Sequence, residues 1–223
     1  MRELFEPVPR ASLYESVYSR ISLALIEGEL KPDDKVRIRP LAAQLGTSVT
    51  PVRDAVLRLV QDGALEMRSV RDVRVPRLRV ARFNEIRTIR LSVEGLAARL
   101  AASNATPADM EILDGIIRDN EAARSAGNGR EAVRLNRRFH AEVSRIAALP
   151  LLDEIIQRMW LRMGPIIATI YASGGFAMIE HHYAIAKAIR AGDAVAAEKA
   201  ILDDINAAAE IVLASDVLDH CPE

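Results

Sequence analysis

Apolar residues recur every three or four positions over most of the chain, and the recurrence breaks at glycine and proline. Over Ser12–Glu27, Leu13, Val17, Ile21, Ala24 and Leu25 share one stripe, and Gly28 suits the position just past a helix end. LKPDD reads as a turn. Pro40 opens a short helix, PLAAQL, with Leu41 and Leu45 on one face. Gly46 turns the chain into a second helix reaching about Gln61, whose buried side is Val52, Ala55, Val56, Leu59 and Val60; Gly63 ends it. The period then changes. ALEMRSVRDVRVPRL alternates around β-branched residues and reads as a short two-stranded ribbon. Three helices followed by a hairpin make a winged helix-turn-helix.

From Phe83 onward every signal is helical. Phe83–Ser103 carries Ile86, Val93, Ala97 and Leu100, and Thr106–Pro107 breaks it and starts a helix to about Ser125. Gly127 and Gly129 separate that from Arg130–Ala148. Leu151–Tyr171 follows, with a bend expected at Gly164–Pro165, where proline removes a backbone donor. Gly174–Gly175 read as a turn, and Ala177–Ala191 and Ala194–Leu213 complete six antiparallel helices in a bundle. The expected fold is therefore mainly α: a winged module over residues 1–78 and an all-α bundle over 79–223.

Composition agrees with this and adds a compartment. Half of the 223 residues are hydrophobic and only 4% are aromatic, a mix that favours helix. The single cysteine, Cys221, allows no internal disulfide, as befits a reducing compartment. The first residues, MRELFEPVPRASLYES, lack the apolar stretch of a secretion signal. No run reaches the roughly 18 apolar residues of a membrane span, so a cytoplasmic protein with no membrane partner is expected. Charge is uneven: residues 1–80 carry 14 Lys/Arg against 11 Asp/Glu, and the remainder carries 16 against 20. Arg68, Arg71, Arg74, Arg77 and Arg79 are opposed over that stretch only by Asp72. A basic front and an acidic back suggest two modules with different partners.

The stretch GTSVTPVRDAVLRLVQDG crowds hydroxyls, a proline and an arginine into the first turn of a helix with a clean apolar face. A helix that enters a DNA major groove presents that turn to bases and phosphates. Its free N–H groups and positive dipole end attract phosphate. Ser48 and Thr50 can cap the helix or reach a phosphate. Arg53 offers a fork for a phosphate or a guanine. An ordinary capped helix explains the same residues, and what weighs against it is the short helix, tight turn and basic ribbon at the right spacing.

With these residues in place, the segment LYESVYSRISLALIEGELKPDDKVRIRPLAAQLGTSVTPVRDAVLRLVQDGAL resembles the DNA-binding domain of GntR-family bacterial regulators. The resemblance puts base- and phosphate-contacting roles on Arg39, Ser48, Thr50 and Arg53, with the wing tip near Arg71. It implies a pseudo-palindromic double-stranded DNA operator. Two departures stand out: Val49 lies where the family carries arginine, and Asp72 where it carries a wing glycine. An altered operator preference, or a weaker grip, is expected.

In the second half, Asn136 and His140 are four residues apart and share a helical face with Val133, Val143 and Ala147. His182 falls on a stripe with Ile185 and Ile189, leaving His181 turned aside, and Asp204 is embedded among Ala197, Ile201, Ala208 and Ile211. A buried aspartate needs a partner or a metal. Two imidazoles, a carboxylate and an amide oxygen would suit zinc, nickel or manganese. Core histidines and an Asp–Arg pair are the plainer alternative. The motifs IRLSVEGLAARLAA, NRRFHAEV and HHYAIAKAIRAGDAVAAEKAI resemble the FCD domain, the effector-binding bundle of the FadR subfamily. That resemblance assigns a divalent-metal set to Asn136, His140, His182 and Asp204, the last standing where the family has histidine. It also gives Arg90, which interrupts an inward apolar stripe, to the carboxylate of a small organic-acid effector; an internal pair with Glu94, one turn away, is the alternative.

Together these readings predict a homodimeric, ligand-responsive DNA-binding repressor rather than an enzyme. The competing expectations are a metal-dependent enzyme built on the bundle, acting on an organic acid, and a DNA binder whose effector site has decayed.

Overall fold

The computed structural model describes residues 11–172 and 179–219. The turn expected at Gly174–Gly175 lies outside them, as do His220 and Cys221. Among the described residues the chain runs α1 (Ala11–Ile26), α2 (Ile38–Gln44), α3 (Val49–Gln61), β1 (Glu66–Ser69), β2 (Asp72–Arg74), α4 (Val80–Asn104), α5 (Pro107–Ser125), α6 (Gly129–Ile146), α7 (Pro150–Ala172), α8 (Ile179–Arg190) and α9 (Ala194–Leu213). This is the expected winged helix-turn-helix followed by an all-helical bundle.

The element boundaries follow local chemistry. α2 starts two residues ahead of Pro40, which still lies in the first turn, where its missing N–H has no helical acceptor. Pro51 occupies the same kind of position in α3. Thr106 and Asp109 form a reciprocal capping box at the head of α5, each side chain bonding the other's backbone N–H. Asn128 and Asp193 cap α6 and α9 in the same sense through the N–H groups of Glu131 and Ala196. The wing strands pair antiparallel, Met67 opposite Val73, with an irregularity before Ser69. Pairing extends past the hairpin: Val36 N–H donates to Val73 O and Val75 N–H to Asp34 O, so the turn before α2 braces the wing.

Two apolar cores result. One gathers Val17, Ile21, Leu25, Val52, Ala55, Val56, Leu59, Leu65, Val73 and Val75, and it also takes in Leu161 from α7. The other fills the bundle from Leu78 to Leu218, with Phe83, Leu113, Phe139, Ile156 and Ile185 almost wholly buried. Leu13, placed on the buried stripe of α1 by its spacing, is instead exposed, one turn ahead of Val17, where burial of that stripe begins. Val93 and Leu100, expected to face inward from α4, are only half-buried; the deeper positions are Ile86, Arg90, Glu94, Ala97 and Ala101. α7 runs unbroken through Pro165, so the expected bend does not interrupt it. The segment after α9 returns to the junction, where Val80 N–H donates to Asp219 O and Asp219 N–H to Leu78 O.

Candidate functional site

The head of α3 stands clear of the fold. Ser48, Thr50 and Arg53 are exposed, while Val52, Ala55, Val56 and Leu59 on the opposite face are buried. Ser48 occupies the N-cap position with extended backbone, yet its hydroxyl makes no capping bond. The first-turn N–H groups and that hydroxyl are therefore open to an outside acceptor. Arg39 is exposed on α2, and Arg71 is exposed at the wing turn beside Val70, which is 89% exposed.

The two departures in this module have structural roles. Val49 is half-buried and packs against the module's core, so a side chain that would otherwise reach outward seats the first turn of α3. Asp72 accepts from Lys35 Nζ at 3.1 Å and from Arg74 Nε at 3.0 Å. Those two cations, Lys35 first, hold its carboxyl below the usual range. A glycine there could not make this clasp between the wing and the turn before α2.

Inside the bundle, α4, α6, α8 and α9 bring a polar cluster together in an otherwise apolar core. Arg90, Glu94, Asn136, His140, His182 and Asp204 are each no more than 4% exposed. Arg90 Nε donates to Glu94 Oε1 at 2.6 Å, as the ion-pair alternative anticipated, and the guanidinium carbon lies 4.9 Å from the centre of the Trp160 ring. Glu94 Oε2 is 3.1 Å from His140 Nδ1, and His140 Nε2 is 3.3 Å from Asp204 Oδ2. His182 stacks on Phe139 with ring centroids 4.1 Å apart.

The protonation pattern follows from these contacts. Burial works against charge on His140, but hydrogen bonds to Asp204 and Glu94 outweigh it and raise its pKa to about 9. Burial would raise Glu94, yet Arg90 and then His140 bring it down to about 2. Asp204 is likewise opposed by burial and lowered by His140. His182 has no such partner, and burial drives it down to about 3, leaving a neutral imidazole.

Four buried groups in this cluster carry unused hydrogen-bonding atoms. Asn136 Oδ1, both ring nitrogens of His182 and Asp204 Oδ1 lack a partner among the described residues, as does Trp160 Nε1. Ligand atoms of His140, His182 and Asp204 lie within 4.8 Å of one another. Asn136 sits one turn before His140 on the same helix. Buried polar atoms without partners cost free energy, so these donors and acceptors fit a group that would use them, and a divalent cation satisfies all three residue types. The cluster thus unites the residues singled out from sequence and adds one that sequence reasoning missed. Glu94 entered only as a neighbour for Arg90; that it also orients His140 depends on a contact 46 residues away, for which helical spacing gives no signal.

Comparison with known proteins gives a consistent picture. The model for "Bacterial regulatory proteins, gntR family" matches residues 13–75, and that for the FCD domain matches residues 85–207. The chain is 33% identical to the HTH-type transcriptional regulator McbR of Escherichia coli over 171 residues, 77% of each chain. It is 32% identical to the "Probable D-xylose utilization operon transcriptional repressor" of Paenarthrobacter nicotinovorans over 203 residues, 89% of this chain and 88% of the other. Among solved structures, that of E. coli McbR superposes with a TM-score of 0.85 at 29% identity, covering 92% of this chain and 98% of the other. A GntR regulator from Rhodococcus shares the fold at a TM-score of 0.77 and 18% identity, covering 92% of this chain and 100% of the other.

Proposed function

The chain belongs to the GntR family of bacterial transcriptional regulators, with an FCD domain behind its helix-turn-helix, and from that premise we propose an operator-binding repressor whose bundle takes a divalent metal and a small organic acid. The winged module, residues 1–78, binds one half of a pseudo-palindrome, and a homodimer formed through residues 79–223 spans both halves. Ser48 and Thr50 meet phosphate at the head of α3, Arg53 and Arg39 reach phosphate or base edges, and Arg71 follows from the wing.

One observation carries the ligand half of the reading: the unpartnered atoms of Asn136, His182 and Asp204 share one buried cluster with His140. Zinc, nickel or manganese would be held by Asn136 Oδ1, His140 Nε2, a ring nitrogen of His182 and the Asp204 carboxylate. When bound, such an ion supplies a direct coordination point for an effector carboxylate. Metal binding would displace the proton that His140 Nε2 holds against Asp204, while Glu94 would keep the Nδ1 proton, the arrangement that steadies metal-bound histidines. Arg90, with its Nε on Glu94, offers the rest of its fork to the effector's carboxylate. Set against a family site with aspartate in the place of Asn136, the carboxylate of Asp204 in the place of histidine keeps the ligand charge the same.

Two measurements test this. Zinc titrated calorimetrically into chelator-stripped protein gives one site per chain, and His140→Ala abolishes the heat; an unchanged isotherm in that variant removes the metal assignment. DNA from the protein's own promoter is retarded in a gel shift and released by Arg53→Ala; a promoter that stays unshifted removes the operator assignment.

A further inference from the structure

One helix touches both the buried cluster and the end of the recognition helix, and it does so with consecutive residues. Trp160 of α7 faces the cluster: its ring lies 5.1 Å from the His140 ring, centroid to centroid, and beneath the Arg90 guanidinium. Leu161, the next residue, is buried in the core of the winged module. Arg162 then donates from Nε to the backbone carbonyl of Asp62 at 2.8 Å. Asp62 is the C-cap of α3. Its carbonyl is one of the acceptors a helix leaves without an internal donor, and a cation there also meets the negative end of the helix dipole. Gly63, the next residue, lies against the same guanidinium, with space for a Cβ only 3.3 Å from it.

The neighbouring contacts hold α7 tightly against α1. A Cβ on Gly164 would fall 2.4 Å from the Cα of Ile26 and 2.8 Å from its carbonyl oxygen. A Cβ on Gly28, in the left-handed region at φ +71°, would meet Ala168 Cβ at 2.0 Å. Only glycine lets these backbones approach so closely. Pro165 follows at once and cannot donate to the carbonyl of Leu161, so α7 lacks an internal hydrogen bond just where it passes from cluster to module.

We infer that Arg162 is a positioning residue that couples the recognition helix to the buried cluster: a change at Trp160 is conveyed within one turn of α7, through Arg162, to the C-terminal end of α3. This rests on the metal-site reading above for its natural trigger, though the mechanical link can be driven from either end. Because Arg162 touches neither the cluster nor the exposed head of α3, its loss spares zinc affinity while cutting the communication.

Hydrogen exchange on the full-length protein tests this directly. In the native chain, loading with Zn²⁺ changes exchange at the amides of Gly63, Ala64 and Leu65 by about fivefold or more, the lower end of ordinary coupling between sites. Arg162→Met keeps the apolar stem and deletes the donor; it loses that zinc-dependent change while its zinc isotherm matches the native one. Arg162→Ala repeats the experiment should methionine pack poorly. A native chain that binds zinc with no change at these amides overturns the coupling, as does a change that persists in both Arg162 variants. If zinc gives no heat with the native chain, the metal reading falls, and Trp160→Phe then drives the link from the cluster end. Altered exchange at the same amides, abolished by adding Arg162→Met, supports the coupling; unaltered exchange overturns it.

Discussion

At the scale of single residues, Glu94 is the group whose role separates a metal site from a set of core histidines. It lies between Arg90 and His140, contacting each through a different carboxylate oxygen. Glu94→Gln keeps size and burial but weakens the hold on His140. Zinc affinity measured by calorimetry should fall by about 10- to 100-fold, the usual effect of losing such a support, with one site per chain retained. His182→Ala, which removes a ligand, should lose binding altogether. An effect of Glu94→Gln confined to thermal stability would mean that the cluster is structural. Much of this site was legible because a polar residue on an apolar stripe is conspicuous, as Asn136, His140, His182, Asp204 and Arg90 all are. Glu94 was equally buried but had an arginine one turn away to account for it. Helical spacing reports neighbours on one helix and is silent on partners from another, so its second contact was hidden.

At the scale of elements, capping and close approach decide where helices begin and how they pack. Asp109 closes the capping box of α5, and its bonds with Thr106, then Arg145, hold its carboxyl down to about 2. A depressed carboxylate stabilises the fold fully above its unfolded pKa of about 3.9, and the contribution drains away as pH falls toward 2. Asp109→Asn should therefore lower the urea midpoint at pH 7, and the gap from the native chain should narrow as pH is brought from 4 toward 2. A gap that stays constant over that range would contradict the assignment. Gly164→Ala should cost about 1–3 kcal/mol or more, because the added methyl has backbone rather than a movable side chain against it; thermal melting reads this. The heads of α3 and α5 and the ends of α1 and α3 were readable from Ser, Thr, Pro and Gly placement. The depth of α4 was legible only in part: Ile86 and Ala97 marked its inner face, but the rest of that face carries alanines and a charged pair while Ile89 and Leu96 lie outside, so Val93 and Leu100 were placed too deep. Gly164 read as part of a bend, since the need for glycine comes from Ile26, which is 138 positions away in sequence.

At the scale of the whole molecule, the winged module and the bundle are joined by more than their linker. Arg77 donates to the backbone of Asp216 and Val217 after α9, Arg130 pairs with Glu29, and α7 enters both cores. A bundle so attached can alter the placement of the DNA-reading face, which two separately tethered domains could not do as directly. Operator binding should weaken steeply with salt, since neutralising phosphates releases counterions. Arg71→Ala, which removes one exposed wing cation, should make the logarithmic salt slope shallower by about one unit. The basic front was visible in the charge count, and the fold in the change of hydrophobic period near Ala64. The attachment of the halves was not, because it depends on single contacts between segments far apart in sequence. The most direct test of the whole account is a closed thermodynamic cycle on the native protein: affinity for its promoter DNA with and without Zn²⁺, and affinity for Zn²⁺ with and without that DNA. Linkage requires the two ratios to be equal, and a metal-responsive repressor gives a common factor clearly different from one; DNA affinity that is the same with and without bound zinc rules out a metal-responsive repressor.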